Sequence, residues 1–259
     1  MDVIQVNGLP FLTIISRTVH FGSATELAGT DMNNVVEAIK VVVGKYWYRG
    51  FTITAIVADG GFAALHDNVE FIKLDITLNI TSEDEHEPYS ERFNRSIKKC
   101  ARMTLATTLF TMIPRRMIVE MVYLAVFWYN CTISENYISD TMGPGSIVLG
   151  RTYDYNHLCG EGTKFGEFVQ KHEKSNNTMD PRTVSAIYLR PTGNTQGSFY
   201  YNSLVTGRRL HRRRCTPLPM PQEAIDRVHH IATRQKIMPG LVFTGADGTP
   251  YGQDNDDLS

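Results

Sequence analysis

Three carboxylates occupy positions where chemistry is possible. Asp2 lies in the amino-terminal stretch Asp2-Val-Ile-Gln-Val6, Asp59 follows the nearly all-apolar run Thr52-Ile-Thr-Ala-Ile-Val-Ala58, and Glu91 opens a helical pattern. Oxygen donors with no His or Cys beside them make a hard site, suited to Mg²⁺ or Mn²⁺. Two such ions held close together would activate an attacking oxygen and stabilise the leaving one in phosphodiester displacement. Convergence requires the strand ending at Asp59 to pair beside the strand of Asp2, with the helix bringing Glu91 over both. The same residues have simpler readings: an Asp at a strand end is ordinarily a turn residue, and a Glu at a helix start complements the dipole. Asp75 and Glu37 are equally available to a counting argument, and spacing alone does not choose.

Cations form two groups. Arg95, Lys98 and Arg102 follow Glu91 at i+4, i+7 and i+11 and share its helix face. There they would guide phosphate, or simply form a solvated face opposite Phe93 and Ile97. Arg208, Arg209, Arg212, Arg213 and Arg214 fall within the seven residues Arg208-Arg-Leu-His-Arg-Arg-Arg214. That density suits salt-dependent, sequence-tolerant contact with DNA phosphates, and equally a nuclear-import signal or a merely basic strand. Phe199, Tyr200 and Tyr201 read as β core, and Tyr46, Trp47, Tyr48, Phe127, Trp128 and Tyr129 read as helix core. Adjacent side chains on a helix point about 100° apart, so His229-His230 is not a metal pair. The eight His and four Cys show no zinc spacing, and no zinc site is expected.

The elements that must position these residues follow from periodicity. Asn7-Gly8 is a hairpin signal between a first strand and a second over Leu9–Ser16, with a third near Val19–Thr25. Met32, Val35, Val36, Ile39, Val42, Val43 and Tyr46 recur at helical spacing behind Asp31 as N-cap. Strands over 52–58 and near 72–80 precede helices from about Tyr89 and from Pro114 to Asn130. This order predicts a mixed α/β sheet flanked by helices. Short strands near 166–172, 184–189, 196–201 and 207–213 suit a small β-barrel, followed by a helix near 224–236.

With 42% hydrophobic residues and a net charge of −1, bulk disorder is excluded. The charge is uneven: residues 1–150 carry 12 basic and 16 acidic side chains, 151–215 carry 11 and 5, and 216–259 carry 3 and 6. A basic middle-to-late segment permits a nucleic-acid surface. The longest apolar run, Met117–Tyr129, is interrupted by Glu120 and falls short of the roughly 20 residues of a membrane span. No secretory signal opens the sequence, which predicts a non-secreted protein.

Residues 2–150 resemble the integrase core of retroelements, most closely that of copia-type LTR retrotransposons. The likeness rests on Asp2-Val-Ile-Gln-Val-Asn-Gly-Leu-Pro-Phe11, Val57-Ala-Asp-Gly-Gly-Phe62 and Glu87-Pro-Tyr-Ser-Glu-Arg-Phe-Asn-Arg95, with Ser139-Asp-Thr-Met-Gly-Pro144 resembling the segment after the core. Residues 164–220, with Phe165-Gly-Glu-Phe168, Tyr188-Leu-Arg-Pro191 and Arg212-Arg-Arg214, are similar to the small β domain that follows. The resemblance implies an RNase H-like fold over 1–150 and a small basic SH3-like domain over 151–222; beyond it, over 223–259, the residue pattern itself predicts a helix and a disordered acidic tail. The resemblance also implies a catalytic triad of Asp2, Asp59 and Glu91 holding two Mg²⁺ or Mn²⁺ ions. The implied chemistry is processing of element DNA ends and their joining to target DNA by in-line attack of water and then a 3′-hydroxyl. Double-stranded DNA, a homo-oligomer and a nuclear or cytoplasmic setting follow from the same resemblance. The sequence departs from the family where Gly60-Gly61 follows Asp59, where Asp2 stands almost first, in lacking the preceding zinc domain, and where Glu83, Asp84, Glu85 and Glu87 crowd Glu91. These departures suggest a polyprotein fragment and keep open a catalytically inactive DNA-binding or assembly remnant.

Overall fold

Asn7 and Gly8 both adopt positive φ, 49° and 77°, as a type I′ turn requires. They fold β1 (Asp2–Val6) back on β2 (Leu9–Ile15) with Asp2 opposite Thr13. β3 (Gly22–Glu26) continues the antiparallel sheet. Alternation sends Met1, Val3 and Leu12 into the same apolar cluster as Val35, Val36 and Ile39 of α1 (Met32–Trp47). Asp31 caps α1 by accepting a hydrogen bond from Asn34 N, as its position in the sequence predicts. The computed structural model describes residues 1–81, 88–133, 138–158, 163–172, 183–246 and 248–250.

β4 (Ala55–Ala58) is shorter than the expected strand over 52–58 and pairs in parallel with β5 (Thr77–Ile80), not with β1. The expected mixed sheet is therefore divided into a four-stranded sheet and a two-stranded one. The two meet where the Met1 amino group donates to Val57 O at 2.6 Å. The strand expected near 72–80 starts only at Thr77, because α2 (Val69–Ile72) and Asp75, at a φ of 54°, interrupt it. A 3₁₀ helix, Gly60–Asp67, occupies the turn after Asp59.

The chain forms two compact units: Met1–Lys98 with Trp128–Arg151 and Val242–Ser259, and Lys99–Phe127 with Thr152–Leu241. Helices α3 (Pro88–Ala106) and α4 (Arg115–Cys131) contribute to both. In the first unit, Asn130 brackets Gly22, accepting from its N at 2.8 Å and donating to its O at 2.7 Å. A Cβ on Gly22 would lie 2.3 Å from Phe93 Cε2, so glycine lets α3 approach β3. α5 (Pro144–Leu149) adds Val148 to the cluster of Val42 and Tyr46. Trp47 and Tyr48, read from spacing as core, are instead 70% and 81% exposed at the carboxyl end of α1, where Tyr48 is the C-cap.

The second unit contains α6 (Tyr155–Leu158) and an antiparallel sheet of β6 (Phe168–His172), β7 (Thr183–Pro191), β8 (Phe199–Ser203), β9 (Arg209–Arg212) and β10 (Cys215–Pro217), in the order β10-β6-β7-β8-β9. Val169, Ala186, Tyr188 and Tyr201 fill one of its faces. α7 (Gln222–Arg234) buries Ala224, Val228 and Ala232 at i, i+4 and i+8. Residues 240–250 belong to the tail expected to be disordered, yet Phe243–Thr244 forms β11 on the edge of β1 in the first unit. Asn7 fixes it by donating from N to Val242 O and accepting from Val242 N at Oδ1. No helix among the described residues is long and apolar enough to cross a membrane.

Candidate functional site

Asp2, at the start of β1, is half-buried and committed on both carboxylate oxygens. Oδ1 accepts from Val3 N at 2.6 Å and Oδ2 from Asn94 Nδ2 at 2.6 Å. Asn94 is buried on α3, one turn after Glu91, so the helix carrying Glu91 lies against the start of β1. Asp59 is exposed and caps the 3₁₀ helix by accepting from Gly61 N at 3.0 Å. A Cβ on Gly61 would stand 3.1 Å from that same Asp59 oxygen, so the glycine gives the carboxylate its room. Glu91 is exposed in the first turn of α3.

The Met1–Val57 bond lies next to Asp2 and two residues before Asp59. The structure therefore brings three backbone positions to one neighbourhood. It does not gather the side chains: among the described residues, no group of three or more His, Cys, Asp or Glu side chains is arranged to hold a metal ion. The donor set has the right chemistry for Mg²⁺ or Mn²⁺, all carboxylate oxygen, but in this arrangement it is not a metal cage. Asp2 is turned to Asn94, and Asp59 to its own turn. Glu83, Asp84, Glu85 and Glu87 lie outside the described residues.

Of the cations on α3, Arg95 and Arg102 are exposed, and Arg102 belongs to the second unit. Lys98 departs from the sequence expectation: it is only 5% exposed and presents no ammonium to a passing strand of DNA. Arg208, Arg209, Arg212, Arg213 and Arg214 are all exposed on or beside the edge strand β9. Leu210 turns inward against the sheet's apolar cluster, so the arginine run keeps one anchor. On the opposite face His211 lies 5.5 Å from the Tyr200 ring, and Arg209 stacks over that ring at 4.4 Å.

Comparison with known proteins adds little. No family model matches this chain, and no curated protein sequence matches it. Among solved structures, the chain is similar to the catalytic core domain of BIV integrase, at 17% identity and a TM-score of 0.44, over 58% of this chain and 91% of that one. A likeness of that size supports no inference about activity.

One cluster escaped the sequence reading. Glu120 is fully buried on α4 and accepts from Arg190 Nε at 2.6 Å and from Arg209 Nη1 at 2.8 Å. Arg190 also stacks over Tyr200 at 4.7 Å and Tyr123 at 5.3 Å. Burial works against the charge of Arg209, but its hydrogen bond and attraction to Glu120 prevail and hold the guanidinium above its ordinary range. The clue was available: a lone acid inside an apolar helix requires cations. In the sequence Glu120 reads only as a break in a hydrophobic run. Arg209, expected to meet DNA, is thus already half spent on holding β9 to α4.

Proposed function

We propose that the chain is a retroelement integrase fragment: an RNase H-like core followed by a small SH3-like domain, of copia type, acting as a divalent-metal-dependent polynucleotidyl transferase. Asp2, Asp59 and Glu91 are the proposed catalytic residues and metal ligands, with two Mg²⁺ or Mn²⁺ ions. Double-stranded DNA is the partner, a homo-oligomer the working form, and the nucleus or cytoplasm the setting. The reaction is in-line displacement at phosphorus, water and then a 3′-hydroxyl attacking, with no covalent enzyme intermediate. The observation that carries the reading is the Asn94–Asp2 hydrogen bond, which ties the helix of Glu91 to the strand of Asp2. The Met1–Val57 bond brings the end of β4 to the same place. Arg95 beside the site, and Arg212, Arg213 and Arg214 on the second unit, would hold the phosphate backbone without reading sequence.

The scattered carboxylate side chains favour a second reading, a DNA-binding or assembly remnant without catalysis. A nicking and strand-transfer assay with Mn²⁺ or Mg²⁺ separates the two, run on the intact chain, Asp59→Asn and Glu91→Gln. The first reading predicts metal-dependent joining that both substitutions abolish while DNA binding persists. Binding without joining, unchanged by either substitution, leaves only the remnant.

A further inference from the structure

The turn between β2 and β3 meets the first turns of α3, and Ser16 fixes its shape. Ser16 N donates to Phe21 O at 3.1 Å, its O accepts from His20 N at 3.0 Å, and its Oγ accepts from Val19 N at 3.1 Å. Val19 and Phe21 anchor the turn in the apolar cluster of Val42, Tyr46 and Val148. With those two inside, Arg17 is exposed and His20 half-buried. His20 stands at a φ of 58°, in the left-handed region that favours glycine. The turn thus keeps an imidazole where backbone geometry alone would take glycine.

On α3, Ser90, Phe93, Asn94 and Ile97 form the buried face. Tyr89 and Arg92, three residues apart, therefore share an outward one. The His20 ring meets the edge of the Tyr89 ring, with centroids 5.9 Å apart and planes at 76°. The Arg17 guanidinium stands over the same ring at 5.9 Å. Tyr89 is still 36% exposed, and among the described residues no further ring or guanidinium lies against it. Burial, and after it the nearby charge of Arg92, holds the His20 imidazole below its ordinary range. The positive charge of this corner at neutral pH accordingly rests on Arg17 and Arg92. Arg92 is exposed and makes no ion pair among the described residues.

A pinned aromatic ring beside a guanidinium fits a ligand that is flat on one side and anionic on the other. Phosphate contact alone would need only the cations. A nucleotide supplies both features, but in a duplex its base is already covered by its neighbours in the stack. We propose that this corner is a stacking site for an unpaired nucleotide. The base lies on the open part of the Tyr89 ring and the phosphate meets Arg92, while Arg17 and His20 hold the ring in place. Tyr89 and Arg92 bracket Glu91 on the helix, about 3 Å along its axis at most, so the site holds a loose strand end beside the candidate carboxylates. Its ligand class rests on the nucleic-acid reading proposed above, but it uses no metal and none of the three carboxylates.

The test uses the intact chain in EDTA with a short single strand carrying 2-aminopurine, whose fluorescence is quenched when the base stacks. A blunt duplex is the control. Tyr89→Ala is expected to weaken single-strand binding by about tenfold and abolish the quench, with duplex binding unchanged. Tyr89→Phe keeps both. Tyr89→Leu, which still packs against the turn but offers no aromatic face, behaves as Tyr89→Ala and separates lost stacking from lost folding. Arg92→Ala lowers the slope of log K against log salt by about 0.7 and leaves the quench at saturation intact. Native binding and quench in Tyr89→Ala, or an equal loss on the duplex, would overturn the proposal. So would polyglutamate displacing the strand as readily as oligothymidylate, which would assign the corner to acidic peptides. A native chain that binds neither DNA defeats the nucleic-acid reading itself, whereas duplex binding with single-strand binding indifferent to Tyr89 defeats the stacking site alone.

Discussion

Glu120 is tolerated in an apolar helix because two guanidinium groups meet it, and its removal leaves two arginines facing a void. Glu120→Ala is expected to lower stability by about 3–5 kcal/mol, read from denaturant titration, and to loosen the basic edge strand with it. Glu120→Gln, which keeps the shape and loses the charge, falls between. The partners stand 70 and 89 residues away in sequence, which is why local pattern reading found the acid and missed its role. Lys98 failed for a related reason: helical spacing shows which side chains share a face, but packing decides whether that face meets water. Tyr46 gives a pH prediction. Burial pushes its hydroxyl up to about 12, partly opposed by a hydrogen bond with Ser16. A folded-state value above the ordinary value of about 10 means that this contribution is complete below pH 10 and lost as pH rises toward 12, about 2–3 kcal/mol in all. Melting temperatures between pH 9 and 12 are therefore expected to fall more steeply in the native chain than in Tyr46→Phe.

Among the elements, those specified by neighbours in sequence were legible. The Asn7-Gly8 hairpin, the Asp31 cap, the spacing of α1 and the helix starts near Tyr89 and Pro114 all depend on residues a few positions apart. Pairing between distant edges was not. Nothing local in Thr52–Ala58 says that β4 prefers β5 to β1, and two residues of β11 are too few to carry a pattern. The packing of α3 on β3 is testable at its narrowest point. Gly22→Ala drives a methyl into Phe93 and is expected to destabilise by about 1–3 kcal/mol, with part of the loss restored by adding Phe93→Leu. Arg209→Ala, which removes an ion pair with buried Glu120, should lower stability, while alanine at Arg213 and Arg214, just past the end of β9, should leave melting unchanged and, on the proposed function, weaken DNA binding. Each arginine that no longer neutralises a phosphate lowers the slope of log K against log salt by about one, which a binding titration at several salt concentrations reads directly.

At the scale of the whole molecule, the near-zero net charge conceals a basic segment over 151–215 in an otherwise mildly acidic chain. The candidate site was legible as residue types and as a resemblance, but not as geometry. Asp2, Asp59 and Glu91 come to one neighbourhood through β1, β4 and α3, while hydrogen bonds turn Asp2 and Asp59 elsewhere. The proposed activity stands or falls on whether these three carboxylates act together on metal. Counting Mn²⁺ ions bound to the intact chain in the presence of duplex DNA, by electron paramagnetic resonance, decides the point. Asp2→Asn, Asp59→Asn and Glu91→Gln are measured beside it. Joint action predicts two ions per chain, lost together when any one of the three residues is changed. Binding of no ions, or binding indifferent to all three substitutions, would refute it.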